Sequence, residues 1–255
     1  MKTINQVNGF SKERFLQVVK RFWVLNQKKW LIGFAGGIGI LVLIYLLNST
    51  GPTANVNSGI AVVGVGLTLY KFGGYFLTSG IFDELGKKSS ASQMLTLPAS
   101  TFEKFLAGWF LTYFLYTFVV VGLLYLIGII LGVNPVLTSL QLSDPNVDAS
   151  KAYFLDALLS YTALHSVFFL GSTFFKGNNF LKTLLSIVLF FIAIGLIALV
   201  IQIIFPGEVT ETVFFPTLMG ISKTMVLWIG TLFKIGTAAL FLFLSYRQLQ
   251  NRQIA

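Results

Sequence analysis

Leu181-Lys-Thr-Leu-Leu-Ser-Ile-Val-Leu-Phe-Phe-Ile-Ala-Ile-Gly-Leu-Ile-Ala-Leu-Val-Ile-Gln-Ile-Ile-Phe205 is the stretch that decides the fold. From Ile187 to Ile204 it is apolar on every side but for Gln202, and Pro206-Gly207 closes it. About 20 apolar residues in a row match the hydrocarbon thickness of a bilayer when wound as a helix. A membrane β-strand would be about half as long and would alternate apolar with polar residues, which this stretch does not. Five further hydrophobic segments flank it: Trp30 to Leu47, Gly59 to Phe82, Phe105 to Leu131, Ala152 to Phe175 and Lys223 to Tyr246. The expectation is an all-α integral membrane protein with six spans, followed by a tail over 247–255.

Composition agrees with this reading. The 255 residues are 55% hydrophobic and 11% charged, with mean hydropathy +0.81, too few polar residues to cover a water-soluble globule. The absence of cysteine excludes disulfides and thiol chemistry, and a single histidine, His165, leaves little for a metal site. The net charge of +9 is spread between hydrophobic runs rather than gathered on a soluble module, so no nucleic-acid partner is expected.

The positions of lysine and arginine set the orientation, because these residues resist translocation. Lys2, Lys12, Arg14, Lys20, Arg21, Lys28 and Lys29 precede the first span; Lys87, Lys88 and Lys104 lie between the second and third. Lys176 and Lys182 lie between the fourth and fifth, and Arg247 and Arg252 follow the sixth. The opposite loops hold only Lys151 and Lys223, beside Asp144, Asp148, Glu208 and Glu211. Both chain ends are therefore expected in the cytoplasm. Residues 1–29 lack the short apolar core and cleavage site of a secretory signal. They read as an amphipathic interfacial helix capped by Ser11, with Phe15, Val18, Val19, Phe22 and Trp23 on one face. Gly177 reads as the C-cap of the fourth span, which forces the fourth and fifth into a hairpin. On the outer side, Val213 to Met219, interrupted by Pro216, is expected to dip back toward the membrane.

The loop between the second and third spans carries two helix signals. Ser100 and Glu103 form an S-x-x-E capping box directly ahead of the apolar run from Phe105, so the third helix is expected to start at Ser100. Ahead of it, Ser90 to Leu97 reads as a short surface helix stopped by Pro98, with Met94, Leu95 and Leu97 as its apolar edge. Nearby, Gly80-Ile-Phe-Asp-Glu-Leu-Gly-Lys-Lys-Ser is not a phosphate-binding loop: five residues separate its glycines, and a second lysine stands where Ser or Thr is needed.

Leu95-Thr-Leu-Pro-Ala-Ser-Thr-Phe-Glu-Lys-Phe-Leu106 resembles the corresponding loop in permease subunits of type-2 ATP-binding-cassette transporters. Those subunits share the six-span layout and the amphipathic helix before the first span. The resemblance implies that Ser92, Met94, Leu95, Leu97, Pro98, Ser100, Glu103 and Lys104 belong to a coupling helix that docks on a separate ATPase subunit. It further implies a permease dimer in a bacterial cytoplasmic (inner) membrane, with ATP and Mg bound by the partner subunit and no cofactor in this chain. An exporter is the expected activity. Rival readings are a membrane assembly factor or channel that needs no ATPase, and a lipid-modifying enzyme, for which only Asp83 and Glu84 stand close together as acids.

Three further features invite a role. Lys71 and Lys234 fall inside hydrophobic segments, where a cation costs about 2.5 to 3.5 kcal/mol; they either line a translocation path, with a carboxylate such as Asp156 as a partner, or reach an interface through their long stems. Gly33 and Gly37 form a small-xxx-small face suited to close helix packing, within the chain or across a dimer. His165 reads as a packed core residue rather than a ligand.

Overall fold

The computed structural model describes residues 9–49, 54–86, 88–132, 151–204 and 223–254, and no strand occurs among them. The helices are α1 (Lys12–Asn48), α2 (Ala54–Ser79), a 3-10 turn (Asp83–Gly86) and α3 (Lys88–Leu95). They are followed by α4 (Thr101–Ile130), α5 (Lys151–Phe174), α6 (Asn179–Ile204) and α7 (Lys223–Ile254). Long helices alternate in direction, so that the start of α1, the end of α2, the start of α4, the α5–α6 turn and the end of α7 gather at one end. This is the end where lysine and arginine concentrate. Five helices are long and apolar enough to cross a membrane, and α5 adds the apolar stretch Leu158–Phe174. The chain is an all-α, multi-pass membrane protein. Asp144, Asp148, Glu208, Glu211 and the stretch Val213 to Met219 lie outside the described residues, as do Lys2 and Lys87.

Helix α1 departs from expectation. No boundary falls at Trp30, and the amphipathic segment and first span form one helix of 37 residues. No proline or glycine lies between Lys12 and Gly33, and Gln27, Lys28 and Lys29 are good helix formers, so nothing in the sequence stops propagation there. At 1.5 Å per residue the helix is roughly 55 Å long, against a bilayer core of about 30 Å. Val18, Phe22, Asn26 and Trp30 recur every fourth residue and are buried, so this face lies on the protein rather than on lipid; Trp23 is exposed.

Two clusters hold the bundle. At the basic end Val18 and Phe22 of α1 pack with Ile81, Phe82 and Leu85, Met94 of α3, Ala107 and Leu111 of α4, Phe169 of α5 and Leu249 of α7. Deeper along the helices, Trp30, Tyr70, Tyr75, Tyr116, Tyr161 and Phe168 form an aromatic layer between α1, α2, α4 and α5. A wide π turn over Phe110–Leu115 adds one residue to the register of α4. Tyr113 lies within it and Tyr116 follows it; Tyr116 donates to the Tyr70 carbonyl at 2.9 Å and Tyr113 meets Thr162 at 2.7 Å. Hydroxyls inside a bilayer need such partners because no water competes for them. His165 is fully buried in the same layer, its ring 5.2 Å from that of Tyr113 and 5.8 Å from that of Tyr161.

The hairpin between α5 and α6 forms as the sequence suggests. Gly177 has φ +73° and Asn178 φ +51°, left-handed values that glycine and asparagine tolerate best. The two helices close so tightly at Gly171 that an added Cβ would overlap the Thr183 side chain. Gly171→Val should therefore destabilise the protein by about 1–3 kcal/mol, read as a lower unfolding temperature of the detergent-solubilised chain. Gly195→Val, where nothing approaches, should leave that temperature almost unchanged.

Candidate functional site

At the basic end, the first half of α1 is clasped to the loop between α2 and α4. Ser100 begins α4 with the capping box its sequence announces: the Glu103 N–H donates to Ser100 Oγ at 3.1 Å, and the Ser100 N–H donates to Glu103 Oε2 at 2.7 Å. The same carboxylate serves a second helix start. Its Oε1 accepts the N–H of Ser11, the N-cap of α1, at 2.7 Å, and the Arg14 guanidinium at 2.9 Å. Arg14 also donates to the Gly9 carbonyl at 2.7 Å. One buried acid thus satisfies two orphan N-terminal amides and an arginine, and its negative charge suits both helix dipoles.

Two more ion pairs continue along α1. Arg21 meets Glu84 at 3.0 Å and Lys29 meets Asp83 at 2.6 Å. Arg14, Arg21 and Lys29 are spaced by about two turns each, so they share one side of the helix. Burial pushes the Glu84 carboxyl above its ordinary pKa, and Arg21 pulls it back. Asp83 additionally accepts from Asn179 Nδ2 at 3.2 Å, tying in the start of α6, and Arg252 of α7 donates to the Phe174 carbonyl at 2.7 Å. The acid pair Asp83 and Glu84 is engaged by cations, which sequence spacing could not reveal because the partners are 54 and 63 residues away.

Helix α3 rides on this clasp. Met94 is fully buried in the basic-end cluster, Leu97 is half-buried, and Ser90 Oγ donates to the Glu84 carbonyl at 2.8 Å. Ser92, Gln93, Thr96 and Pro98 are exposed. Of the loop residues singled out by sequence, Met94, Glu103 and Lys104 are therefore interior and hold the loop from behind. They cannot themselves form a docking surface. Gln93 and Thr96, which the sequence reading passed over, lie on the outward edge; their polarity opposite Met94 on a short amphipathic helix was the available signal.

The other singled-out residues do not converge. Gly33 and Gly37 meet nothing within 4 Å of an added Cβ; they edge an apolar cleft of about 250 Å³ between α1, α2 and α4, with Trp30, Tyr70 and Tyr116. Lys234 lines a second cavity between α5, α6 and α7, whereas Lys71 is exposed on α2 and belongs to neither lining. The side chain of Asp156 lies outside the described residues. Comparison with protein-family models, known proteins and solved structures gives no match.

Glu103→Ala should cost about 3–5 kcal/mol, because it strands Arg14 beside two helix N-termini. Lys29→Ala, at a half-exposed pair, should cost only about 0–1 kcal/mol. Denaturation of single and double variants checks this: Arg14→Ala should add little once Glu103 is gone.

Proposed function

We propose that this chain is the membrane-spanning subunit of an ATP-driven transporter, an exporter of the type-2 ATP-binding-cassette kind, with six spans and both ends in the cytoplasm. The observation that carries the reading is α3: a short helix clamped from behind by Met94, Ser90 and the Glu103 clasp, with Ser92 and Gln93 on the helix and Thr96 and Pro98 just after it forming an exposed edge. A force applied to that edge would reach the turn after α2 and the start of α4 through the buried Met94, the Ser90 hydrogen bond to the Glu84 carbonyl and the Glu103 clasp. The concentration of lysine and arginine at this end supports its cytoplasmic placement, the side on which an ATPase is available. ATP and Mg would be bound by that separate subunit, and a second permease copy or homologue would complete the path.

Copurification from the native membrane should recover an ATP-hydrolysing subunit. Thr96→Arg together with Gln93→Glu, on the exposed edge, should lower copurification and transport-linked ATP hydrolysis by about tenfold or more while leaving insertion and melting temperature unchanged. Glu103→Ala should instead lower the melting temperature. Full ATPase capture by the α3 double variant would sink this reading.

A further inference from the structure

Helix α4 is one apolar run by composition, yet its backbone changes pitch midway. Over Phe110–Leu115 it widens into a π turn, a rare form that occurs mostly as single turns and frequently at functional sites. The Tyr116 N–H, which in a plain α-helix would donate to the Thr112 carbonyl, donates to those of Leu111 and Tyr113. The Thr112 carbonyl thereby loses its usual donor, while the Thr112 hydroxyl is taken up by the Gly108 carbonyl at 2.9 Å. His165 of α5, fully buried, faces that Thr112 carbonyl.

The extra residue decides which face of the second half of α4 meets α2. Tyr116, Val120, Leu124 and Ile127 line the cleft of about 250 Å³ between α1, α2 and α4. Without the π turn, the second half would advance by one helical position, about 100° of rotation and 1.5 Å of rise. Leu115, Val119, Leu123 and Leu126 would then stand in those four places. That face is as apolar as the present one, and three exchanges keep volume nearly unchanged: Val119 for Val120, Leu123 for Leu124 and Leu126 for Ile127. The slip is opposed at Tyr116, whose hydroxyl donates to the Tyr70 carbonyl at 2.9 Å, and at buried Gly128, where Ile127 would stand.

We propose that α4 is a two-register helix: its first half stays fixed by the Glu103 clasp, and its second half turns by one residue, exchanging Tyr116 and Leu124 for Leu115 and Leu123 against α2, with His165 at the Thr112 carbonyl holding the present register. Each state forfeits what the other keeps. The present register has the Tyr116 bond, the Tyr113 contact with Thr162 at 2.7 Å and the His165 contact; the plain α register returns the Thr112 carbonyl to a helical donor. Leu115 is smaller than Tyr116, so the turn widens the cleft. One element with two discrete arrangements, clasped at the basic end and facing the cleft beyond it, is what coupling between the two requires. The device stands whether or not the chain is a transport subunit.

The chain has no cysteine, so introduced pairs report register in the full-length protein in its membrane. A Cβ added at Gly66 would strike the Leu124 side chain, so Gly66→Cys with Leu124→Cys should oxidise readily to a disulfide. Gly66→Cys with Leu123→Cys should do so about tenfold more slowly or less. His165→Leu, or Tyr116→Leu should the first variant fail to insert, should shift cross-linking from the Leu124 pair to the Leu123 pair. Deleting Phe114, an exposed residue within the π turn, removes the spare residue while leaving both halves of α4 on their present faces. The Leu124 pair should then dominate whether or not His165 is replaced. No gain of the Leu123 pair in either variant, or the same gain after deletion of Phe114, would overturn the proposal.

Discussion

The basic end of this protein depends on one carboxylate. Glu103 is fully buried, and it is tolerable there because every lone pair that matters is used: two helix-starting N–H groups and the Arg14 guanidinium converge on it. Burying an ion is costly, and the cost is offset only when hydrogen bonds and opposite charge are both in place. The arrangement fixes two starting points at once. α4 starts where Ser100 and Glu103 cap it, and α1 begins against the same atoms although 92 residues separate Ser11 from Glu103.

That constraint gives the first half of α1 a protein surface to cover. An amphipathic helix free of tertiary contacts would settle in the interface with its apolar face in the acyl boundary. Here the stripe Val18, Phe22, Asn26 and Trp30 already has a protein surface to cover, and Arg14, Arg21 and Lys29 are paired with acids on the α2–α4 loop. Exposed pairs alone contribute little. The packing of Phe22 against Phe82, with ring centroids 5.7 Å apart, supplies apolar burial, and the ion pairs set register.

Much of the architecture was legible because the bilayer imposes a coarse rule on sequence. The start of α4 at Ser100 and the bodies of α2, α4, α5, α6 and α7 follow from a capping box and apolar run length, while Gly177 marks the α5–α6 turn rather than the cap of α5, which ends at Phe174. What was not legible depends on distant pairing. Asp83 and Glu84 read only as two neighbouring acids, Glu103 as the capping-box residue of a single helix, and Trp30 as the start of a separate span. All three readings change once α1 is laid across the loop, since a helix stripe says which face is apolar but not what it will meet. The tyrosine layer was hidden for a related reason: Tyr70, Tyr75, Tyr113, Tyr116 and Tyr161 have no common spacing, and the π turn of α4 shifts the register on which any pattern would rest.

The distribution of tight and loose packing gives the bundle a mechanical sense. At the basic end, α1, the turn that follows α2, α3, α4, α5 and α7 share one cluster, and the starts of α1 and α4 share one acid. Toward the other end, α6 is exposed along its whole length beyond Ile187, and the cavity lined by Lys234 separates it from α7. Packed interiors transmit displacement because they resist compression, whereas a helix bordered by lipid can tilt at small cost. Rigidity is therefore concentrated around α3 and the start of α4, and α6 is the helix least held by its neighbours. The polar edge of α3 is the only described part of its surface turned away from this cluster, so any partner acting on the bundle through α3 must act there, with Glu103 as the fixed point behind it.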